Sequence, residues 1–286
     1  MIVAMARCAA IFLLGALVTR PTAAAGASSS VLAEADALYA RRAEGSTGSG
    51  ANTEHIDHAI ALYRRALQES PASAEALAGL LRALHFKGAF CGAALEDRRA
   101  AFEEAKNLGQ AAIDAWEKSL SGQPADVRLR TLRERPSAVG VYFWTGAAWG
   151  QWALVRGKFA SARQGVAGRI RDLAETVIAI DPRFEEGGGY RLLGRLHDQA
   201  PKILFVTGWV SRPLALQHLR ASHAISPQNT ATRFFLAEAI LDHEAKNAAE
   251  AKSLLRSCAE DPPRDEYLVE DRYYAEEARA LLKRQR

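Results

Sequence analysis

The chain has 286 residues, of which 49% are hydrophobic and 24% are charged, and its formal net charge is +4. This length can bury a full core within a single domain, and the hydrophobic content is ordinary for a globular protein. A charge balance so close to zero gives no argument for binding nucleic acid or an anionic membrane. Alanine is abundant and β-branched runs are scarce, which favours helices.

The N-terminus has the pattern of a secretory signal peptide. Arg7 precedes an apolar run, Cys8–Val18, and small residues follow it up to Ala27. This run is too short for a helix that crosses a bilayer, which needs about 20 residues. Its cysteine stands at the start of the apolar run, whereas a lipidated cysteine would follow it. We therefore expect residues 1–27 to be a cleaved, unlipidated signal, and residues 28–286 to form one periplasmic domain.

The rest of the chain has the apolar spacing of helices. The stretch "VLAEADALYARR" predicts a short helix, and Ala43–Asn52 predicts a flexible loop. The clearest helical stripe, with i, i+3, i+4, i+7 spacing, consists of Leu77, Leu80, Leu81 and Leu84. No stretch shows the alternation of a convincing strand. The predicted fold class is therefore all-α.

A recurring feature divides these helices. Four of them end at a serine or aspartate followed by a proline, namely Pro71, Pro182, Pro227 and Pro262. We predict that the serine or aspartate caps the next helix and that the proline takes its first position. The last two intervals are 45 and 35 residues, close to the tetratricopeptide (TPR) repeat of about 34. The sequence thus predicts irregular TPR-like stacked hairpins in one superhelical or bundle domain, which leave a concave surface for a partner.

Enzyme signatures are weak. His55 and His58 lack the spacing of a helical metal site and are interpreted as solvated residues of a first helical turn. The glycines of "EEGGGYRLLGRLH" (Glu185–His197) follow a helix and precede no Lys-Ser or Lys-Thr pair, so we predict a helix start or a kink with close backbone packing. We expect neither catalysis nor a cofactor. The sequence does not decide whether Cys91 and Cys258 form a disulfide or are two buried thiols.

Residues 138–155, "AVGVYFWTGAAWGQWALV", carry no charge. Such a helix could span a bilayer, form the centre of a core, or line a cavity. On a helical wheel, four small residues fall on one side and predict a closely packed ridge; they are Gly146, Gly150, Ala153 and Gly157. Polar residues within the run, such as Gln151, argue against the bilayer. We predict a buried central helix, whose tryptophans fill the core or form a cavity wall.

The segment "APKILFVTGWVSRP" (Ala200–Pro213) lies between two predicted helices. Loops rarely carry this much apolar surface unless it tucks into the core or contacts a partner. Both possibilities remain open at this stage.

Several blocks of the sequence, taken together, resemble a known family. From about Val31 to Leu282, the chain is similar to the T component of TRAP (tripartite ATP-independent periplasmic) transporters, the TatT family. The resemblance rests on "ADALYARR", "HAIALYRRALQESPASAEALAGLLRALHFKG" and "VYFWTGAAWGQWALVRGK", and on "GGGYRLLGRLHDQAP" followed by "ALQHLRASHAISPQNTATRFFLAEAIL". The last two blocks in that order are its most specific part.

This resemblance implies an α-helical periplasmic protein of TPR-like hairpins without catalytic residues. It also implies a solute-binding (P component) partner, and a trimer with a cavity or pore through each protomer. No nucleic acid partner, cofactor or metal is expected. The chain lacks a lipobox cysteine, so we expect no lipid anchor.

These considerations give a set of candidate ligand- or partner-binding residues: Tyr142, Trp144, Trp149, Trp152, Tyr190, Arg191, Arg195 and Trp209. The leading hypothesis is a non-enzymatic scaffold for a solute-binding protein. The alternatives are a periplasmic carrier that holds an apolar ligand in an aromatic-lined cavity, and a general TPR adaptor in envelope assembly.

Overall fold

The structure, a computed structural model, describes residues 23–92, 94–157 and 165–285, with side chains from residue 30 onward. The predicted signal peptide lies outside these residues, except for 23–27, which begin the first helix. Twelve α-helices and no strand are present in this part of the chain, as the all-α prediction requires. The helices are α1 Ala23–Ala40, α2 Glu54–Glu69, α3 Ala74–Phe90, α4 Leu95–Ser119, α5 Ala125–Glu134, α6 Ala138–Arg156, α7 Val166–Ile180, α8 Phe184–Gln199, α9 Arg212–Ile225, α10 Thr230–His243, α11 Ala248–Glu260 and α12 Leu268–Arg284.

Helices that follow one another in the chain pack against each other. The exception is α5, which lies outside this series, so that α4 packs directly on α6. The apolar stripes explain this order, because each helix buries one face against its neighbour. The stripe of α3 is an example, since Leu77, Leu80, Leu81 and Leu84 are all buried. The result is a stack of helical hairpins, as predicted.

The prolines lie in the turns, so the predicted capping is wrong in detail. Ser70 and Ser226, which precede Pro71 and Pro227, end helices instead of starting them. After Pro71 the N-cap of the next helix lies two residues beyond the proline, at Ser73, which accepts a hydrogen bond from the backbone of Ala76. Since proline cannot continue the preceding helix, it initiates a short turn, and the N-cap follows that turn.

The uncharged segment forms α6, which contacts α3, α4, α5, α7 and α8 and is thus the predicted central helix. Among the described helices, none is long and apolar enough to cross a membrane. The predicted small-residue ridge is only partly a packing surface. A Cβ at Gly146 would lie 3.2 Å from the Leu192 side chain, whereas one at Gly150 would meet nothing within 4 Å. The predicted close packing at Gly150 is therefore wrong, and the reason is an internal cavity.

Helix α8 approaches its neighbours unusually closely through its glycines. A Cβ at Gly188 would lie 2.5 Å from the Phe143 ring, and one at Gly189 would lie 2.7 Å from Ile178. A Cβ at Gly194 would come within 2.5 Å of Leu219. The sequence prediction of close backbone packing at this glycine run is confirmed.

The last helix returns to the first ones, which closes the stack on itself. Arg42, just after α1, binds Glu270 of α12 at 2.8 Å, and the ring centroids of Phe90 and Tyr273 are 5.5 Å apart. The loop predicted to be flexible takes part, because Ser49 donates a hydrogen bond to Glu276 at 2.6 Å. The two ends of the helical stack are thus joined.

Cys91 and Cys258 lie in different parts of the core and are both free thiols. Cys258 is buried and donates a hydrogen bond to the backbone oxygen of Thr230 at 3.3 Å, while Cys91 is half-buried at the end of α3. The sequence left open a disulfide or two thiols, and in the structure the two residues are unpaired thiols.

Candidate functional site

The closed stack surrounds a cavity of about 770 Å³. Part of its wall is apolar and aromatic, and the largest side chains of that part are Phe86, Phe90, Phe143, Trp144, Phe234 and Phe235. Gly150 and Ala153 of α6 also line it, which is why the small-residue side of this helix meets open space. Leu95 and Leu154 line the cavity and are 55% and 45% exposed, so they mark its mouth.

The remaining wall carries a polar cluster, defined as Tyr39, Arg42, Arg82, Glu185, Arg191 and Glu270. The guanidinium carbons of Arg82 and Arg42 lie 3.9 Å and 4.6 Å from the centroid of the Tyr39 ring. Burial raises the pKa of the Tyr39 phenol well above its ordinary value, so the hydroxyl keeps its proton. Arginine stacked on tyrosine is a cation–π arrangement that fixes both side chains.

A strained turn brings Glu185 into this cluster. At the start of α8, Glu185, Glu186 and Gly187 have φ angles of 48°, 56° and 79°, in the left-handed region. Two non-glycine residues there carry a conformational cost of about 1–2 kcal/mol each. The Arg191 guanidinium donates hydrogen bonds to the backbone oxygens of both glutamates, at 3.0 Å and 3.4 Å. The surrounding structure thus imposes a conformation that the residues alone disfavour.

The second glutamate anchors the turn. Arg264 donates to both carboxylate oxygens of Glu186 at 2.9 Å, and Ser226 and Asn229 also donate to it. Burial raises the pKa of this carboxyl, but the bonds from Arg264 and Asn229 outweigh it and bring the pKa below its ordinary value. Glu186 is therefore a charged group tied to α10 and to the loop before α12.

Glu185 has the opposite character. Within the described part of the chain, no group donates a hydrogen bond to its carboxyl, which lines the cavity. Burial raises its pKa, against the opposing effect of Arg191 and Arg82. Strained backbone with an uncommitted polar side chain is the kind of feature that clusters at ligand sites.

His85 lies one turn beyond Arg82 on the same face of α3. Its ring centroid is 5.2 Å from that of Trp144, and both residues line the cavity. Burial and the nearby Arg191 lower the pKa of His85 to about 4, so the ring is neutral at neutral pH. Nowhere in the described residues do three His, Cys, Asp or Glu side chains come together as a metal site requires.

The structure divides the residues selected from the sequence into three groups. Trp144, Arg191 and Arg195 line the cavity. Tyr190 and Trp209 line a separate groove of about 430 Å³ on the other side of α8. The core positions are Tyr142, Trp149 and Trp152: Tyr142 is 1% exposed, Trp152 is 5% exposed, and the Trp149 indole donates to Gln110 at 3.1 Å.

Stacked rings form the floor of the separate groove. The rings of His197 and His218 are parallel with centroids 5.7 Å apart, and Tyr190 stacks on His218 at 6.2 Å. Trp209 meets His197 edge-on at 5.5 Å. Burial lowers the pKa of His197 to about 4. This groove is uncharged apart from Arg171 and Glu175 at its edge.

Sequence reasoning missed Arg82, His85, Glu185 and Glu270. Arg82 and His85 interrupt the apolar stripe of α3, and polar residues within such a stripe are a signal that was available. Glu185 had no such signal, because only its backbone conformation aims it at the cavity. Glu270 could not be identified from the sequence, because its partner Arg42 lies 228 positions away in the chain.

Comparisons with known proteins define the class of fold. No family model matches the sequence, and no curated protein matches it. Among solved structures, a thermophilic TPR protein of Thermus thermophilus is similar, with a TM-score of 0.54 and 18% sequence identity. The match covers 88% of this chain and 99% of that one. The chain therefore has a TPR-like helical-repeat fold; at this identity the likeness extends to the fold alone.

Proposed function

We propose that this protein is a non-enzymatic periplasmic accessory protein that binds a solute-binding protein, in the role of a TRAP transporter T component. The observation that carries the proposal is a TPR-like stack closed around a cavity with an apolar wall and a polar cluster. TPR-like repeats present surfaces to protein partners. A cavity with an exposed mouth suits a protein that binds a solute receptor before the receptor delivers its solute to a permease.

The test uses a photo-crosslinking amino acid at the mouth. Leu154 lines the cavity and is 45% exposed, while Leu108 on α4 is 38% exposed and lies away from the cavity, so it is a matched control. We expect a probe at Leu154 to crosslink an extracytoplasmic solute receptor in periplasm, identified by mass spectrometry, and a probe at Leu108 to crosslink none. Crosslinks to envelope-assembly proteins would support the adaptor alternative instead. No receptor at either site would count against the proposal.

The resemblance to the TatT family also suggests a homotrimer. Sedimentation equilibrium of the purified protein measures this directly, and a monomer over the accessible concentration range would contradict it.

A second candidate function, a carrier of a small amphipathic ligand, is favoured by one observation. Trp144 and the phenylalanines of the wall face the same cavity as the uncommitted carboxyl of Glu185. Such a mixture of apolar surface and few polar groups is typical of small-molecule sites. We expect an organic extract of the purified protein to contain a bound compound, and Trp144→Ala to lower its yield. Trp209→Phe, outside the cavity, is the control, and an empty extract would exclude a retained ligand.

A further inference from the structure

The loop between α8 and α9 exposes an apolar turn. Leu204, Phe205 and Val206, the apolar tip, are 74%, 96% and 40% exposed. Tucking into the protein, one of the two possibilities for this segment, holds for only part of it. Thr207 and Val210 tuck into the protein, whereas the apolar tip does not.

The tip is fixed in its exposed position. The Thr207 hydroxyl accepts a hydrogen bond from the backbone of Ile203 at 2.8 Å and donates one to the backbone oxygen of Pro201. The Trp209 indole donates to the backbone oxygen of Val206 at 3.2 Å. Phe205 has a φ of 62°, which a bulky side chain rarely adopts. A turn that is pinned, strained and almost wholly exposed at an aromatic residue has the properties of a contact site.

The loop that carries the tip is basic. From Gln199 to Arg220 the chain has no acidic residue, while Lys202 and Arg212 flank the tip and are exposed. The nearest acid before it, Asp198, has a side chain that is 1% exposed and is paired with Arg195. Beside Trp209, the charge of Arg171 is balanced by Asp172 at 2.9 Å. Net charge close to zero therefore conceals a loop whose own charged side chains are both basic.

We propose that the apolar tip docks on an anionic lipid surface. Aliphatic and phenyl side chains enter the acyl boundary, tryptophan prefers the headgroup level, and basic residues attract anionic headgroups. A protein partner would not by itself require this combination of an apolar tip with two exposed basic residues, Lys202 and Arg212, on either side of it. Ala200 and Pro201, at the start of the loop, line the cavity, so docking brings the rim of the cavity to the lipid surface. This inference goes beyond the proposed protein partner and does not depend on it.

The experiment is co-sedimentation of the full chain with vesicles of phosphatidylcholine, with or without phosphatidylglycerol. We expect binding to the anionic vesicles, weakened by salt because exposed charges are screened. Phe205→Ser should lower the affinity by about tenfold or more, since one phenyl group no longer leaves water. Lys202→Gln and Arg212→Gln should each lower it by about fivefold. Leu108→Ser is the control, because Leu108 is an exposed leucine on α4, and it should bind like the parent.

Three results would overturn the proposal. The first is no binding of the parent chain to anionic vesicles, and the second is equal binding to vesicles of both compositions. The third is that the protein binds no vesicles but changes its oligomeric state in solution when Phe205→Ser is introduced. That result would make the turn a contact between copies of the chain. Circular dichroism of each variant should show an intact fold, because these side chains are exposed.

Discussion

The Arg42 guanidinium lies 2.8 Å from the Glu270 carboxylate, although 228 positions separate them. Their side chains are only 6% and 18% exposed. The same guanidinium donates to the backbone oxygen of Glu266 and stacks on Tyr39. One side chain after the first helix therefore holds both the last helix and the turn before it, and forms part of the cavity wall.

Arg42→Met should destabilise the protein by about 3–5 kcal/mol. Removing one partner of a buried ion pair leaves the other charge without compensation, which is the larger part of this cost. The urea dependence of unfolding measures it. Arg41→Met is the control, because Arg41 pairs with Glu44 on the surface and both side chains are about half exposed. Equal stability of the Arg42 and Arg41 variants would show that the ion pair does not hold the ends together.

The strained turn predicts opposite effects at two adjacent glutamates. Glu185→Gly should raise the free energy of unfolding by about 0.5–1 kcal/mol, because glycine relieves the left-handed conformation at some entropic cost. Glu186→Gly relieves the same strain but loses the hydrogen bonds from Arg264, Asn229 and Ser226, so it should be destabilising. Thermal unfolding of both variants checks the prediction. A loss of stability in both would mean that the Glu185 carboxyl has a structural partner.

Two helical glycines predict contrasting effects of a single methyl group. A Cβ at Gly109 would overlap the Thr145 hydroxyl, which donates to the backbone oxygen of Val141 inside the core. Gly109→Ala should therefore cost about 1–3 kcal/mol through overpacking. Gly150→Ala has open space and should be neutral or stabilising by up to about 1 kcal/mol, since alanine favours helices. Denaturant midpoints distinguish the two, and a destabilised Gly150→Ala would mean that the cavity is narrower than described.

Two neutral histidines predict a loss of stability in mild acid. The pKa values of His85 and His197 lie at about 4 in the folded protein, below the ordinary value of about 6.5. As pH falls from about 6.5 to about 4, the unfolded chain takes up protons that the folded chain does not, so stability decreases. Above a pH of about 6.5 these two groups contribute no slope. Urea titrations from neutral pH down to about pH 4 should show that the free energy of unfolding decreases less in His85→Phe and in His197→Asn than in the parent protein. An unchanged slope in both would contradict this assignment.

The helical content and the central position of α6 could be predicted because they depend on patterns local in sequence. Apolar stripes indicate which face each helix buries, and a run without charge indicates a helix with no exposed face. The prolines indicated where helices end but not which residues cap the next helices. At Pro71, for example, the sequence is as compatible with a short turn as with the start of a helix.

The cavity could not be predicted in the same way. A helical wheel separates two sides of α6 but does not say which side faces another helix and which faces a void. Trp144 lines the cavity while Trp152 fills the core, although both belong to the same side of the wheel. The polar cluster combines residues of α1, α3, α8 and α12 with Arg42 just after α1, which only the closure of the stack brings together.

That closure has a consequence for the way the chain folds. In an open solenoid, each repeat contacts only its neighbours, so folding can begin anywhere and the end repeats fray first. Here the pairing of α12 with the segment after α1 spans most of the chain, and contacts of such sequence separation form late and slowly. Once formed, they must break before α12 can separate from the segment after α1. Backbone amides of α1 and α12 should thus exchange their hydrogens as slowly as those of α6, in one cooperative opening.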